Sequence, residues 1–174
     1  LVSQAMKNGH NQYAPMMGVI ELRTAIAQKF KELYQSSYSP EKEIVITVGA
    51  TQAIFTIISA FIHTNDEVII FTPAYDCYQP SVELQGGKVI PIQLQYPKNT
   101  IDWSLVENSI TSKTKMMIIN SPQNPSGSIF SLSDMKKLEK ITNNTDIIIL
   151  SDEVYEHMIF DGEKHQSICL FPAL

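Results

Sequence analysis

Short runs of apolar residues with the length of β-strands recur along the chain. They lie at residues 43–48, 67–71, 88–94, 115–119 and 146–150 and are enriched in β-branched residues. Within these runs the apolar residues are largely continuous, which is typical of strands covered on both faces. The pattern therefore predicts a parallel sheet that is buried between two layers.

Helical periodicity fills the segments between these runs. The predicted helices span residues 51–62, 75–85, 103–110 and 132–142. Ser131 and Asp134 form a capping-box pattern at the start of the last helix. The alternation of strands and helices predicts an α/β fold, namely a three-layer α/β/α sandwich with a mostly parallel sheet and right-handed crossovers.

A further amphipathic helix precedes the first predicted strand. Its apolar stripe recurs at helical spacing, at Leu22, Ile26, Phe30 and Leu33. The chain shows no internal repeat and no linker composition. We therefore expect residues 1–42 to form an N-terminal helical segment that leads into a larger domain at residues 43–174.

Composition and charge exclude several classes of function. The chain has 174 residues and a formal net charge of −5 without a Lys/Arg run, so nucleic acid is an unsuitable partner. No apolar stretch approaches the roughly 20 residues of a membrane-spanning helix, so no membrane partner is expected. Cys77 and Cys169 lack paired spacing and the four histidines lack metal-binding spacing, which predicts a cytoplasmic protein without a metal site.

The residues that directly follow the predicted strands carry the candidate chemistry, because ligands of open α/β sheets bind beyond the carboxyl ends of the strands. Gly49, Ala50 and Thr51 follow the first strand and open a helix. The amide groups and positive dipole end of such a helix attract an anion such as phosphate. Alternatively, this segment is a glycine turn with Thr51 as an ordinary helix cap. No dinucleotide-binding, P-loop or hydrolase-elbow pattern occurs.

Acidic, amide and aromatic side chains follow the later strands. Asp152 comes after the apolar residues 147–150, where an ionised carboxylate needs a cation or hydrogen-bond donors, and a protonated pyridine nitrogen would serve. Tyr75 is suited to stack on a flat ring, and Asn124 and Tyr155 are suited to bind a phenolate oxygen. The alternatives are that Asp152 caps a short helix, that the tyrosines pack in the core and that Asn124 belongs to a turn.

Five ordered motifs then show a family resemblance that covers essentially the whole chain. They are NQYAPMMG at 11–18, GATQA at 49–53, PAYDCY at 73–78, NSPQNPSG at 120–127 and SDEVYEH at 151–157. Together they resemble class I aminotransferases of fold type I, which depend on pyridoxal 5'-phosphate. The YDCY and NQYAP segments most resemble the methionine and kynurenine aminotransferase branch, and the chain resembles part of the cofactor-binding large domain.

The resemblance implies roles for individual residues in binding pyridoxal phosphate. Gly49, Ala50 and Thr51 would hold the phosphate, and Tyr75 would stack on the pyridine ring. Tyr13 would reach the phosphate bound by a neighbouring subunit, which implies a homodimer with shared active sites.

The remaining implied roles concern the polar groups of the pyridine ring. Asn124 and Tyr155 would bind the 3-hydroxyl oxygen, Asn120 would support the same shell and Asp152 would pair with the ring nitrogen. Asp152 and Tyr155 are therefore the expected catalytic residues, since a protonated ring nitrogen makes the cofactor an electron sink. The implied reaction moves an amino group from an L-amino acid, such as methionine or an aromatic residue, to a 2-oxo acid.

The resemblance also identifies what is missing. Family members are about twice as long, and their Schiff-base lysine and substrate-binding arginine follow the SDEVYEH motif at a position beyond Leu174. We therefore expect the whole protein to be an aminotransferase of amino acid metabolism and this chain to be inactive by itself. The resemblance further suggests that the Ser121–Pro122 bond, the Asn124–Pro125 bond, or both, are cis.

Three other interpretations remain open at this point. A carbon-sulfur lyase of the same fold type would share the wall residues but would eliminate instead of transferring an amino group. A regulator domain built on the aminotransferase fold would sense a cofactor or an amino acid. A stand-alone interaction domain would fold stably without a cofactor.

Overall fold

A computed structural model describes all 174 residues, Leu1–Leu174, as two compact units, Leu1–Thr47 and Val48–Leu174. The N-terminal unit contains helices α1 (Val2–Lys7) and α2 (Ile20–Tyr34). The predicted helix with the apolar stripe is therefore confirmed as α2. The predicted division into residues 1–42 and 43–174 concerns domains of the whole protein and stays a prediction.

The buried residue of α2 is a cation and not a member of the apolar stripe. Arg23 is buried, and its guanidinium donates to the carbonyl oxygens of Gly18 at 3.0 Å and Pro40 at 2.6 Å. Leu22 and Leu33 remain about half exposed. The charged hydrogen bonds of Arg23 thus hold the turn before α2 to the segment after it.

The first predicted strand, at residues 43–48, is wrong. No strand forms there, and the backbone of the segment instead donates from Ile46 N to Met17 O at 3.0 Å and from Glu43 N to Ser39 O at 2.9 Å. A β-branched run favours extended backbone, but a strand forms only where a neighbouring chain pairs with it. Within this chain no strand pairs with residues 43–48.

The C-terminal unit alternates helices and strands, as predicted. In chain order its elements are α3 (Gly49–Phe61), β1 (Glu67–Thr72), α4 (Tyr78–Leu84), β2 (Lys88–Gln93), α5 (Trp103–Ser109), β3 (Thr114–Asn120), α6 (Leu132–Thr142), β4 (Ile148–Asp152) and a 3-10 turn (Ile168–Leu170). The four predicted helices and the four later predicted strands are confirmed, and apart from α6 each has at least one boundary shifted by one to three residues. Helix α4 begins three residues later than predicted, and β4 extends to Asp152.

The capping box predicted for α6 is confirmed. Ser131 Oγ accepts from the backbone amide of Asp134 at 3.2 Å, and Asp134 Oδ2 accepts from the amide of Ser131 at 3.0 Å. Asp134 Oδ1 also accepts from Trp103 Nε1 at 2.8 Å. The same carboxylate therefore caps α6 and joins it to α5.

The four strands form one parallel sheet in the order β2-β1-β3-β4. Successive residues of a strand face opposite sides of the sheet. On one side Val68 and Ile70 pack with Ile54 and Ile58 of α3, and on the other Ile69 and Phe71 belong to the core that includes residues of α5 and α6. Helices thus cover both faces, which confirms the three-layer α/β/α architecture.

No helix of the chain combines the length and the apolarity needed to cross a membrane.

The topology brings the carboxyl ends of β1, β3 and β4 to one edge of the sheet. In the register of β3 and β4, Asn120 lies opposite Asp152. These are the last residues of their strands. Side chains that follow the strands therefore meet at this edge, which we call the carboxyl edge.

Candidate functional site

A cavity of about 190 Å³ opens at the carboxyl edge of the sheet. Its lining consists of Ala50, Thr51, Tyr75, Asn120, Asn124, Asp152, Val154 and Tyr155. Seven of these eight residues are predicted site residues, and Val154 is the addition. We call this space the rim cavity. A larger cavity of about 680 Å³, whose lining includes Lys98 and Lys137, contains none of the predicted site residues.

Two predicted residues are not part of the lining. Gly49 directly precedes Ala50 as the first residue of α3, and its φ of +76° lies in the left-handed region that favours glycine. Tyr13 belongs to the N-terminal unit, where its side chain is fully exposed. The predicted role of Tyr13 toward a neighbouring subunit stays a prediction.

The amino-terminal end of α3 forms one wall of the rim cavity. The alternative in which Thr51 caps this helix is wrong, because α3 begins at Gly49 and Thr51 lies inside its first turn. No side chain caps the helix at Val48. The first amides of a helix lack intrahelical acceptors and carry the positive end of the dipole, so this wall favours an anion.

Tyr75 lies on the wall beside Thr51. Its hydroxyl is 3.3 Å from Thr51 Oγ1, and its ring contacts the ring of Tyr78 edge to face, with centroids 5.9 Å apart. Tyr75 is half-buried in the loop between β1 and α4. Its ring therefore has a fixed neighbour on one side while it lines the rim cavity.

The side chain of Asn120 connects the end of β3 to the end of β4 and to the loop that carries Asn124. Asn120 is buried, and its Nδ2 donates to the backbone oxygen of Asp152 at 2.9 Å. Asn120 Oδ1 accepts from the backbone amide of Asn124 at 2.8 Å. The Ser121–Pro122 and Asn124–Pro125 bonds are both cis, as the resemblance suggested. Asn120 thus supports the loop that carries Asn124 as well as the end of β4.

Asp152 is a buried carboxylate at the wall of the rim cavity, with 8% of its surface exposed. Its Oδ2 accepts from the hydroxyl of Tyr78 at 2.6 Å, and its Oδ1 accepts from the backbone amide of Val154 at 3.2 Å. The alternative that Asp152 caps a short helix is wrong, because it ends β4 and only a turn follows. Two donors therefore stabilise this buried carboxylate.

Tyr78 is a residue of the site that the sequence did not reveal. Burial, the hydrogen bond to Asp152 and the negative charge of Asp152 raise the pKa of the Tyr78 hydroxyl above its usual range. The second tyrosine of the YDCY segment, three residues after Tyr75, was the available signal. Burial also raises the pKa of the neighbouring Cys77 thiol to about 11, with further contributions from the charges of Asp152 and Asp76.

Gln123 also went unnoticed in the sequence. It is buried, its Nε2 donates to the carbonyl oxygen of Pro73, and its Oε1 accepts from the amide of Ser126 at 3.0 Å. Pro73 lies in the loop after β1 and Gln123 in the loop after β3. This side chain therefore joins the loop that carries Tyr75 to the loop that carries Asn124.

Glu153 fixes the chain beyond β4. It accepts from Ser151 Oγ at 2.8 Å and from the amide of Ile168 at 2.9 Å, and it lies 2.7 Å from His165 Nε2. Burial opposes its ionisation, but the hydrogen bonds to His165, Ile168 and Ser151 outweigh burial and lower the pKa of Glu153. The charged form of Glu153 thus holds residues 165–168 against the end of β4.

The chemistry of the rim cavity is that of a binding wall. It combines an anion-binding helix end, an aromatic ring, two amides, tyrosine hydroxyls and one buried carboxylate. No lysine or arginine lines it. These groups fit pyridoxal phosphate. The helix end suits its phosphate, the aromatic ring suits its pyridine ring, the amides and tyrosine hydroxyls suit its ring oxygen, and the carboxylate suits its ring nitrogen.

Comparison with known proteins gives a consistent assignment. Residues 2–173 match the family model for aminotransferase class I and II. The chain is 40% identical to methionine aminotransferase of Escherichia coli over 95% of its own length and 43% of the relative. It is 42% identical to aspartate aminotransferase of Pyrococcus abyssi over the same shares of the two chains.

The solved structures agree with this similarity. The crystal structure of an Escherichia coli protein with a methionine aminotransferase function superposes with a TM-score of 0.94 at 38% identity. The superposition covers 98% of this chain and 45% of that protein. The chain therefore spans less than half the length of the relatives it matches. Methionine and aspartate aminotransferases match this chain about equally well.

Proposed function

Since this chain belongs to the class I and II aminotransferases, we propose that the whole protein is a pyridoxal-phosphate-dependent aminotransferase. It would move an amino group from an L-amino acid to a 2-oxo acid, with this chain supplying part of the cofactor-binding wall. The observation that carries the proposal is the buried Asp152 carboxylate in a cavity whose other walls suit the remaining groups of the cofactor. Methionine and aromatic amino acids are the proposed donors.

The phosphate would bind at the amino-terminal end of α3. Gly49, Ala50 and Thr51 offer backbone amides and a hydroxyl there, and the helix dipole adds a favourable potential. No cation of this chain lines the rim cavity, so these neutral donors are what the chain would offer the anion. The neighbouring subunit's copy of Tyr13 would add a hydroxyl, which is why we propose a homodimer.

The aromatic part of the cofactor would lie against Tyr75. Asn124 and Tyr155 would donate to its ring oxygen, and Asn120 would keep Asn124 in place through the 2.8 Å bond to its backbone amide. Tyr155 is only 36% exposed and lines the cavity, so it can reach a ligand there. These contacts orient the ring before any chemistry begins.

Asp152 would hold a proton on the ring nitrogen. When bound, pyridoxal phosphate supplies an electron sink for the electrons released at the substrate α-carbon. Asp152 would strengthen this property because an ionised carboxylate stabilises a protonated nitrogen in a buried site. The hydrogen bonds from Tyr78 and Val154 keep the carboxylate in place for this task.

The proposed location is the cytoplasm, given the unpaired spacing of the two cysteines.

The proposal is tested by Asp152→Asn in the whole protein, which keeps the side-chain shape but removes the charge. We expect amino transfer to fall by about a hundredfold or more, because charge stabilisation is the largest single contribution in sites of this kind. Production of the 2-oxo acid from methionine, aromatic amino acids, kynurenine and glutamine would be measured with several 2-oxo acid acceptors. The same screen would identify the donor.

Asp161→Asn is the matched control. Asp161 is exposed, lies outside the rim cavity and has a φ of +58°, a conformation that asparagine tolerates. It should leave the activity unchanged. Wild-type activity in the Asp152→Asn protein would contradict the proposed function, and release of ammonia without amino transfer would indicate a lyase instead.

A further inference from the structure

The hydroxyl of Tyr78 makes a buried hydrogen bond that packing alone does not require. The ring of Tyr78 belongs to the core cluster that includes Ile118 of β3 and Leu150 of β4, so a phenylalanine would fill the same volume. The hydroxyl nevertheless reaches Asp152 Oδ2 at 2.6 Å, across 74 residues of sequence. This distance is at the short end for O–H···O bonds and is typical of a charged acceptor.

Tyr78 also touches the aromatic wall of the rim cavity. Its ring contacts that of Tyr75 edge to face at 5.9 Å, while its hydroxyl is bound to Asp152. Tyr78 itself does not line the cavity. One side chain outside the cavity therefore contacts both the residue proposed to stack on the cofactor and the residue proposed to hold its ring nitrogen.

The Asp152 carboxylate is held at both oxygens. Tyr78 donates to Oδ2 and the Val154 amide donates to Oδ1, so rotation of the carboxylate would break one bond or both. The titratable groups around the Tyr78 hydroxyl are Asp152 from β4, with Cys77 and Tyr75 from the segment before α4. Neither Cys77 nor Tyr75 is a cation, so the hydroxyl of Tyr78 is the side-chain donor that stabilises the charge of Asp152 from this side.

We propose that Tyr78 is a positioning residue, whose buried hydroxyl orients the Asp152 carboxylate toward the rim cavity for a protonated aromatic nitrogen. This inference rests on the proposed function, because Asp152 needs that nitrogen as its partner. The effect is indirect, since Tyr78 acts on the ligand only through Asp152.

The test is the affinity of the whole, cofactor-free protein for pyridoxal 5'-phosphate, measured by fluorescence titration. We expect Tyr78→Phe to weaken binding about tenfold, the usual scale for a hydrogen bond to a charged group. A loss of packing alone would weaken binding to the same extent with and without the Asp152 carboxylate.

Two further variants separate the hydroxyl of Tyr78 from other effects. Tyr96→Phe removes the same atom from a side chain that is 90% exposed, and it should bind the cofactor like wild type. In an Asp152→Asn background, Tyr78→Phe should cause no additional loss of cofactor affinity, because the carboxylate through which Tyr78 acts is already absent. Wild-type affinity for Tyr78→Phe, or an equal loss in both backgrounds, would overturn the proposal.

A second measurement covers the case in which Tyr78→Phe does not fold. Ultraviolet titration of tyrosine ionisation would compare wild type with Asp152→Asn in the cofactor-free protein. We expect the pKa of Tyr78 to be lower in Asp152→Asn than in wild type, because the negative acceptor is gone, although burial still raises it above its usual value. Identical titrations would overturn the inference. If Asp152→Asn itself binds the cofactor like wild type, the proposed function of Asp152 fails. That outcome is independent of any role of Tyr78.

Discussion

The thiol of Cys77 illustrates how one buried charge affects its neighbours. Cys77 is half-buried, and burial together with the charges of Asp152 and Asp76 raises its pKa from 9.0 to about 11. At pH 8 the reactive thiolate should therefore be about a hundredfold less populated than in an ordinary thiol. Despite its partial exposure, Cys77 should thus react slowly.

We predict that alkylation of Cys77 keeps accelerating with pH up to about 11, whereas an ordinary thiol levels off near 9. The raised pKa delays formation of the thiolate, so the rate should rise about tenfold for each pH unit in between. Pulsed alkylation of the whole protein, followed by mass spectrometry of the peptide that contains Cys77, would measure this rate. Limited access alone would slow the reaction at every pH, but the rate would still stop rising near pH 9. A rate that levels off near pH 9 would therefore contradict the prediction.

Asp76→Asn provides a graded test of the same explanation. Asp76 is exposed and contributes less to the shift than burial or Asp152. Its removal should lower the levelling pH slightly without altering the rim cavity, of which Asp76 is not part. An unchanged pH profile would assign the shift to burial and Asp152 alone.

At the scale of elements, Glu153 connects β4 to the segment that ends in the 3-10 turn. Its charged form accepts from Ser151 and Ile168 and contacts His165, and its side chain is 16% exposed. Because its pKa is lowered from 4.5, the stabilisation is complete above that pH. It is lost as the pH falls through the lower pKa of the folded state.

We predict that Glu153→Gln loosens residues 165–170 by about 2 kcal/mol, the scale of hydrogen bonds to a charged group. Amide hydrogen exchange in this segment should become roughly 30-fold faster at neutral pH. The difference from wild type should shrink as the pH falls below 4.5 and should vanish once the pH passes the lower pKa of the folded state, where the wild-type carboxylate is also protonated. Glu163→Gln, at an exposed position of the same region, should leave exchange unchanged. Equal exchange in all three proteins would show that Glu153 does not hold the segment.

The elements differ in how far the sequence could predict them. Helix α6 was predicted to the residue because its signals, the Ser131–Asp134 capping box and the apolar periodicity, are local. The strand at residues 43–48 was wrong because pairing is a property of the neighbouring chain and not of the run itself. The start of α4 was misplaced because Tyr75 belongs to the loop that lines the rim cavity.

The candidate site follows the same division. The wall residues at the ends of β1, β3 and β4 could be predicted because parallel strands bring their carboxyl ends to one edge. Ala50 and Thr51 instead follow the run at residues 43–48, which forms no strand, and the GATQA motif was the signal that identified them. The Tyr78–Asp152 bond could not be predicted, because its partners are 74 residues apart and meet only through the packing of α4 on the sheet. Gln123 was missed for the same reason, since its partner Pro73 follows a different strand.

At the scale of the whole molecule, the chain provides a binding wall without a nucleophile. It spans 43% of the methionine and aspartate aminotransferases that it matches, and no lysine lines its rim cavity. Amino transfer on pyridoxal phosphate needs an amine that holds the cofactor and moves a proton at the α-carbon. The residues of the rim cavity are the ones we propose to bind and orient the cofactor, but none of them can act as that amine.

We therefore predict that the 174-residue chain, purified by itself, produces no 2-oxo acid from amino acids beyond the slow reaction of free pyridoxal phosphate. The whole protein, assayed with the same donors, would be the positive control. Binding should be separable from turnover, because any cofactor affinity of the chain should be weakened by Asp152→Asn while turnover stays at background in both. Turnover above background that is lost in Asp152→Asn would contradict the prediction, because a residue of this chain would then have to supply the missing amine.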